Sequence, residues 1–217
     1  MNQPPYIDIH THRCAPKAGV ECLCVYRLGS GDAEPPAPFV AGVHPWDVAQ
    51  ADFSLLDYFA APHSGLVGVG EIGLDFAREA VDRSLQVEWL NRQLAVAERL
   101  GLPVVVHSVR AYNEMALELK KYSLKAVVFH GFIGSPELIN QLSRSGYAFS
   151  FGAASLRSPK TREALQAVAP DRLFLESDDD PQADIRALYD TVAALRQVPL
   201  PALKENLYAN YKRIFNG

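Results

Sequence analysis

Six side chains able to bind a metal ion each follow a hydrophobic, strand-like run. His10 and His12 follow Tyr6-Ile7-Asp8-Ile9, and Glu71 follows Leu66-Val67-Gly68-Val69-Gly70. His107 follows Pro103-Val104-Val105-Val106, His130 follows Ala126-Val127-Val128-Phe129, and Asp178 comes after Leu173-Phe174-Leu175-Glu176. Imidazoles and carboxylates in one set suit zinc or manganese, and magnesium also fits such a set. Strand alternation points His10 and His12 to one face, so two imidazoles can chelate one ion, and Asp8 shares their parity one step deeper, where it can orient a histidine. Glu71, midway through the set, can bridge two ions, and Asp178 can bind metal and also take a proton from water. Asp178 is the choice among three consecutive aspartates; Asp179 and Asp180 remain alternatives, as loop or capping residues before Pro181. A lone histidine after an apolar run is ordinarily a core residue. His107 and His130 at the ends of successive strands argue for a site. His44, in Gly42-Val43-His44-Pro45-Trp46, is a candidate substrate contact, and Arg110 a candidate phosphate clamp.

Residues so far apart in the chain share a site only if the fold gathers the C-terminal ends of its strands, as a parallel barrel does. Candidate strands fall at 6–10, 20–27, 39–43, 66–70, 103–107, 126–130, 147–151 and 172–176, mostly as apolar runs suited to burial on both faces. Helical periodicity occupies 80–100, 111–121, 136–145, 159–168, 182–197 and 201–215. Gly101 stops the first helix, and Ser135-Pro136 opens the third. Strands alternating with helices read as a (β/α)8 TIM barrel. The first two crossovers depart from the pattern. Few residues separate His10 from the next strand, and Ser30–Ala37 has a loop composition, so these crossovers have shortened or missing helices. The apolar surface this bares needs the C-terminal helix or another subunit to cover it. No second domain or internal repeat is visible, and residues 1–217 read as one domain.

With 217 residues, 48% hydrophobic and 21% charged, the chain is an ordinary globular protein. It has no apolar run of membrane-spanning length and its first residues carry no signal segment, so the expectation is cytoplasmic. Cys14, Cys22 and Cys24 are an odd number without zinc-hook spacing, and are expected to be reduced and structural. A formal charge of −4 argues against a protein that coats nucleic acid. Two divalent ions at the barrel mouth would reverse the sign locally, where a phosphate must sit.

Taken in chain order, these motifs resemble the TatD-like metal-dependent hydrolases, the TatD-type deoxyribonucleases of the amidohydrolase superfamily. The matching pieces are Asp8-Ile9-His10-Thr11-His12, Gly42-Val43-His44-Pro45, Gly70-Glu71-Ile72-Gly73-Leu74-Asp75, Leu102–Ser108, His130–Ser135 and Leu175-Glu176-Ser177-Asp178. Asn206–Phe215 is similar to the family's closing helix. The resemblance implies two divalent ions, one held by His10, His12, Glu71 and Asp178 and the other by Glu71, His107 and His130. Glu71 would stand where many superfamily relatives use a carboxylated lysine, and the implied reaction is hydrolysis of a phosphodiester in DNA. This chain is shorter than typical members. After Asp178 it has Asp179-Asp180-Pro181 in place of an Arg- and Asn-bearing loop, and the arginine of the family's His-Ser-Arg is displaced by one, to Arg110. Two other functions compete: a same-fold hydrolase of a small amide, lactone or phosphate ester, and a non-catalytic interaction module. The complete ligand set speaks against the second. Fold alone does not separate them.

Overall fold

The computed structural model describes residues 3–216. Its strands are β1 (Tyr6–Thr11), β2 (Val20–Arg27), β3 (Phe39–Gly42), β4 (Leu66–Asp75), β5 (Val104–Val109), β6 (Val127–Phe129), β7 (Ala148–Phe151) and β8 (Leu173–Leu175). Its α-helices are α1 (Arg83–Leu100), α2 (Tyr112–Leu119), α3 (Pro136–Ser143), α4 (Pro159–Ala167), α5 (Ile185–Arg196) and α6 (Leu200–Phe215). The strands form one sheet in chain order, β1 to β8, and a parallel bridge from Thr11 to Asp178 returns the last strand to the first. This is the expected (β/α)8 class. As expected too, no α-helix follows β1 or β2; a 3-10 helix over Phe53–Ala60, not anticipated, follows β3. Among the described residues no helix is long and apolar enough to cross a membrane.

Contacts divide the chain into two compact units, Met1–Cys24 with Phe129–Gly217, and Val25–Val128. In the first, α6 lies against β1 and covers strand surface that a normal early crossover would hide. Its buried face includes Leu203, Leu207, Tyr211 and Ile214, at helical spacing. Side chains on the helices also satisfy strand peptide groups. The Tyr189 hydroxyl on α5 accepts from Ile7 N (2.9 Å) and donates to Ile7 O (3.1 Å). Asn210 on α6 donates to the carbonyls of Pro170 and Leu173.

Cys14 and Cys24 form a disulfide and only Cys22 is free, which corrects the expectation of three reduced thiols. The loop after β1 returns Cys14 to the middle of β2, where its Cα lies 5.7 Å from that of Cys24, within disulfide reach. Spacing along the chain could not reveal that return.

The second unit uses the same clipping device on α1. This helix starts at Asp82, whose carboxylate accepts from Leu85 N, and ends at Gly101 with φ 63°. Gln86 and Gln93 are two helical turns apart on one face, and both are buried. Gln86 Oε1 accepts from Asp75 N (2.7 Å) and its Nε2 donates to Asp75 O (3.2 Å). Gln93 makes the same pair with Val43, at 2.7 and 3.1 Å. Together they hold the ends of β4 and of the segment just past β3. Gln93→Leu strands two buried peptide groups of Val43. It is expected to destabilise the protein by about 2–4 kcal/mol, read as a lower urea midpoint, and an unchanged midpoint would remove this clip from the account of the fold.

Candidate functional site

In the first unit, β1 carries His10 and ends one residue before His12, and the turn after β8 delivers the carboxylate. His10 is fully buried and His12 half-buried, with ring centroids 5.3 Å apart. Asp178 is held between them by its backbone: its N–H donates to His10 O (2.9 Å) and its carbonyl accepts from His12 N (3.2 Å). Its φ of 54° is left-handed, a conformation aspartate tolerates better than most residues. Asp178 Oδ1 then lies 3.6 Å from His10 Nε2 and 3.7 Å from His12 Nε2. Those separations are long for hydrogen bonds. They approach the roughly 3.3–3.5 Å between tetrahedral ligands that each sit about 2.0–2.1 Å from a zinc ion.

Beside this triad stands a second one, His130, Glu176 and Asp178, whose ligand atoms also lie within 4.8 Å of one another. The His130 ring stacks on His10 at 3.9 Å, and its Nδ1 is 3.6 Å from Glu176 Oε1. Glu176 is buried and accepts from the Ser150 hydroxyl on β7. Burial alone would push its carboxyl up. The hydrogen bond and charge of His130, with the charge of His10, outweigh burial and hold it below its ordinary value. Sequence reasoning did not single out Glu176. The signal available was its shared parity with Asp178 at the end of an apolar run, where a glutamate is rarely buried unless it is paired. Asp8 was expected to steady a histidine. It accepts instead from Ser177 N (2.9 Å) and the Ser177 hydroxyl (2.6 Å), and so fixes the turn that presents Asp178. Burial pushes the Asp8 carboxyl up to about 6 against those two hydrogen bonds. Asp179 faces Arg13 at 3.7 Å, and Asp180 accepts from Gln182 N, so of the three aspartates Asp178 is the one placed against both His10 and His12.

In the second unit Glu71, His44 and His107 form a compact cluster. Glu71 lies inside β4, which runs five residues past its expected end, to Asp75. A Cβ at Gly70 would come 2.8 Å from the Val105 carbonyl oxygen, so glycine lets β4 and β5 approach where Glu71 and His107 meet. Glu71 Oε1 is 2.7 Å from His107 Nδ1 and 3.0 Å from His44 Nε2. Trp46 N–H donates to His44 Nδ1, which places the ring proton on Nε2, aimed at Glu71. Burial lowers the His44 pKa against the pull of Glu71. Asp75 Oδ2 accepts from the Trp46 indole N–H at 2.6 Å and lies 3.4 Å from His107 Nε2. Burial opposes its ionisation, but the hydrogen bonds of His107, Trp46 and Ala77 N–H bring it down to about 2. Arg110 is exposed in a left-handed turn just past β5.

Each unit thus offers a group of three ligand-type side chains, His10–His12–Asp178 and His44–Glu71–His107, with ligand atoms within 4.8 Å of one another. Mixed imidazole and carboxylate donors of this kind fit a divalent cation.

Residues 30–216 match the family described as TatD related DNase. The metal-dependent hydrolase YabD of Bacillus subtilis is 25% identical over 194 residues, which is 80% of this chain and 75% of that one. A protein named 3'-5' ssDNA/RNA exonuclease TatD, from Erwinia tasmaniensis, is 34% identical over 145 residues, 64% of this chain and 56% of its own length. Among solved structures, the TatD homologue YjjV of Escherichia coli superposes with a TM-score of 0.84 at 24% identity, covering 98% of both chains.

Proposed function

Because the chain belongs to the family of TatD-related DNases, we propose that it is a divalent-metal-dependent phosphodiesterase that cleaves DNA by attack of water. The observation that carries this reading is the pair of ligand clusters, one on each unit, each combining imidazole with carboxylate. Two ions are proposed, of zinc, manganese or magnesium, with ligands from His10, His12, His130 and Asp178 in the first unit and Glu71 and His107 in the second. When bound, such ions stabilise charge that gathers on phosphate oxygens and make water more acidic. The residues themselves have distinct tasks. Asp178, half-exposed, accepts at its carboxylate the proton of the attacking water as the new P–O bond forms and the ester P–O bond breaks, the departing oxygen taking a proton from solvent and leaving as an alcohol. Glu71, held by His44 and His107, supplies buried negative charge at a fixed place. Arg110, exposed at the end of β5, contacts phosphate.

One observation favours a smaller substrate as a second reading. A cavity of about 320 Å³ beside Asp178 is lined by Glu176, Asp179 and Asp180 as well, an acidic setting suited to a small phosphate ester, amide or lactone more than to a polyanion.

Metal-free protein titrated with magnesium, manganese and zinc tests both readings. Cleavage of single-stranded DNA is expected to appear only with metal and to vanish in the His10→Ala, Glu71→Ala double variant. Tight metal binding without DNA cleavage, with turnover of a small ester or amide, would move the assignment to the second reading.

A further inference from the structure

Trp46 has no part in the ligand clusters, yet it is among the few large apolar side chains left exposed, at 36%. Its indole is fixed on several sides. The N–H donates to Asp75 at 2.6 Å, and the ring stands edge-on to His44 at 4.7 Å and to His107 at 5.9 Å. The Arg78 guanidinium lies 3.8 Å over the ring, and that of Arg27 lies 5.9 Å from its centroid, held by Asp47 at 2.6 Å. Arg78 is itself exposed. A groove of about 690 Å³ continues from Arg27 past Ser30, Gln50 and Ser54.

A tryptophan serving only to fill space would be buried, as Trp89 is at 1%. This one is rigid, exposed, layered with a delocalised cation and one contact away from the Glu71 cluster. Unpaired nucleobases bind by stacking on aromatic rings and guanidinium planes, with neighbouring cations taking up phosphate charge. We propose that the Trp46–Arg78 pair is the platform on which a nucleobase next to the scissile phosphodiester stacks, with Arg27 on the side of the adjoining phosphate. The proposal rests on the phosphodiesterase reading and deepens it: the substrate is single-stranded nucleic acid recognised through a base, at a surface that tolerates any base because each has a flat face.

Two labelled single-stranded decanucleotides separate stacking from charge, one with bases and one with stable abasic units throughout. Their binding to the full-length chain is followed by fluorescence anisotropy in EDTA, where no hydrolysis competes, and their cleavage is then followed with manganese. The wild type is expected to prefer the base-bearing strand by roughly 5- to 150-fold, the range of one stacked base. Trp46→Ala is expected to erase that preference while abasic binding stays within about twofold, and Trp46→Phe to keep most of it. Arg78→Ala, at an exposed position, serves as the second variant and is expected to reduce the preference without loss of folded protein. No preference in the wild type, or an equal loss for both strands in Trp46→Ala, would overturn the platform. A preserved base preference without manganese-dependent cleavage would leave the platform standing and overturn the phosphodiesterase reading alone.

Discussion

Asp178→Asn is expected to lower kcat on single-stranded DNA by roughly 10²- to 10⁴-fold, the usual contribution of a positioned proton acceptor, with no shift in thermal midpoint. Two facts separate the effects. The backbone of Asp178, not its side chain, makes the hydrogen bonds to His10 and His12, so they survive the substitution. Asparagine also tolerates the left-handed φ of 54° that most residues resist. What disappears is the anionic oxygen 3.6–3.7 Å from both imidazoles. Metal affinity should fall with activity, since an amide is a weaker ligand than a carboxylate for zinc or manganese. Steady-state kinetics beside metal titration calorimetry tests this. Turnover above about a tenth of wild type would place the proton acceptor elsewhere, and Asp179→Asn and Asp180→Asn would then be the variants to compare.

Glu71→Gln should cost more, roughly 10³-fold or greater in kcat/KM, because several kcal/mol of charge stabilisation depend on it. The buried carboxylate accepts at one oxygen from both His44 and His107. A glutamine carries one carbonyl and an NH2 group that can only donate, so one arrangement sets donor against donor and the other loses the charge. Stability without metal is expected to fall by about 1–3 kcal/mol, the cost of a buried polar group left badly paired. Metal content after dialysis, measured by inductively coupled plasma mass spectrometry, should fall below that of the wild type. A variant that keeps full metal content and full stability would remove Glu71 from the ligand set.

The strand ends were legible because a parallel barrel buries its strands on both faces, leaving apolar runs, and each polar residue that ends a run stands out. His10, His12, Glu71, His107, His130 and Asp178 were singled out this way as candidate ligands, and the α-helices of the described residues were expected from their periodicity. What stayed hidden follows from partners distant in sequence. Gln86 and Gln93 read as ordinary polar helix positions, because what makes them structural is the peptide groups of Asp75 and Val43 that they meet. Glu176 looked like the polar edge of a strand and is a buried acid between Ser150 and His130. The extension of β4 to Asp75 was obscured by Gly73, a residue that weakens any strand prediction but here allows close approach to His107. The pairing of Cys14 with Cys24 needed the path of a loop, which residue types alone do not describe.

The bridge from Thr11 to Asp178 also bears on how the protein is made. Its two partners lie 167 positions apart, so a loop made late in synthesis completes the cluster begun at β1. At a ribosomal pace of about 5–20 residues per second, the two histidines wait roughly 8–35 s for their carboxylate. During that interval the proposed group holds only its two imidazoles, so an ion bound there would be expected to gain its carboxylate only after translation has passed Asp178. Nascent chains cut short before that point would be expected to hold an ion less tightly at this group, whereas the residues of the His44–Glu71–His107 group are already present in them.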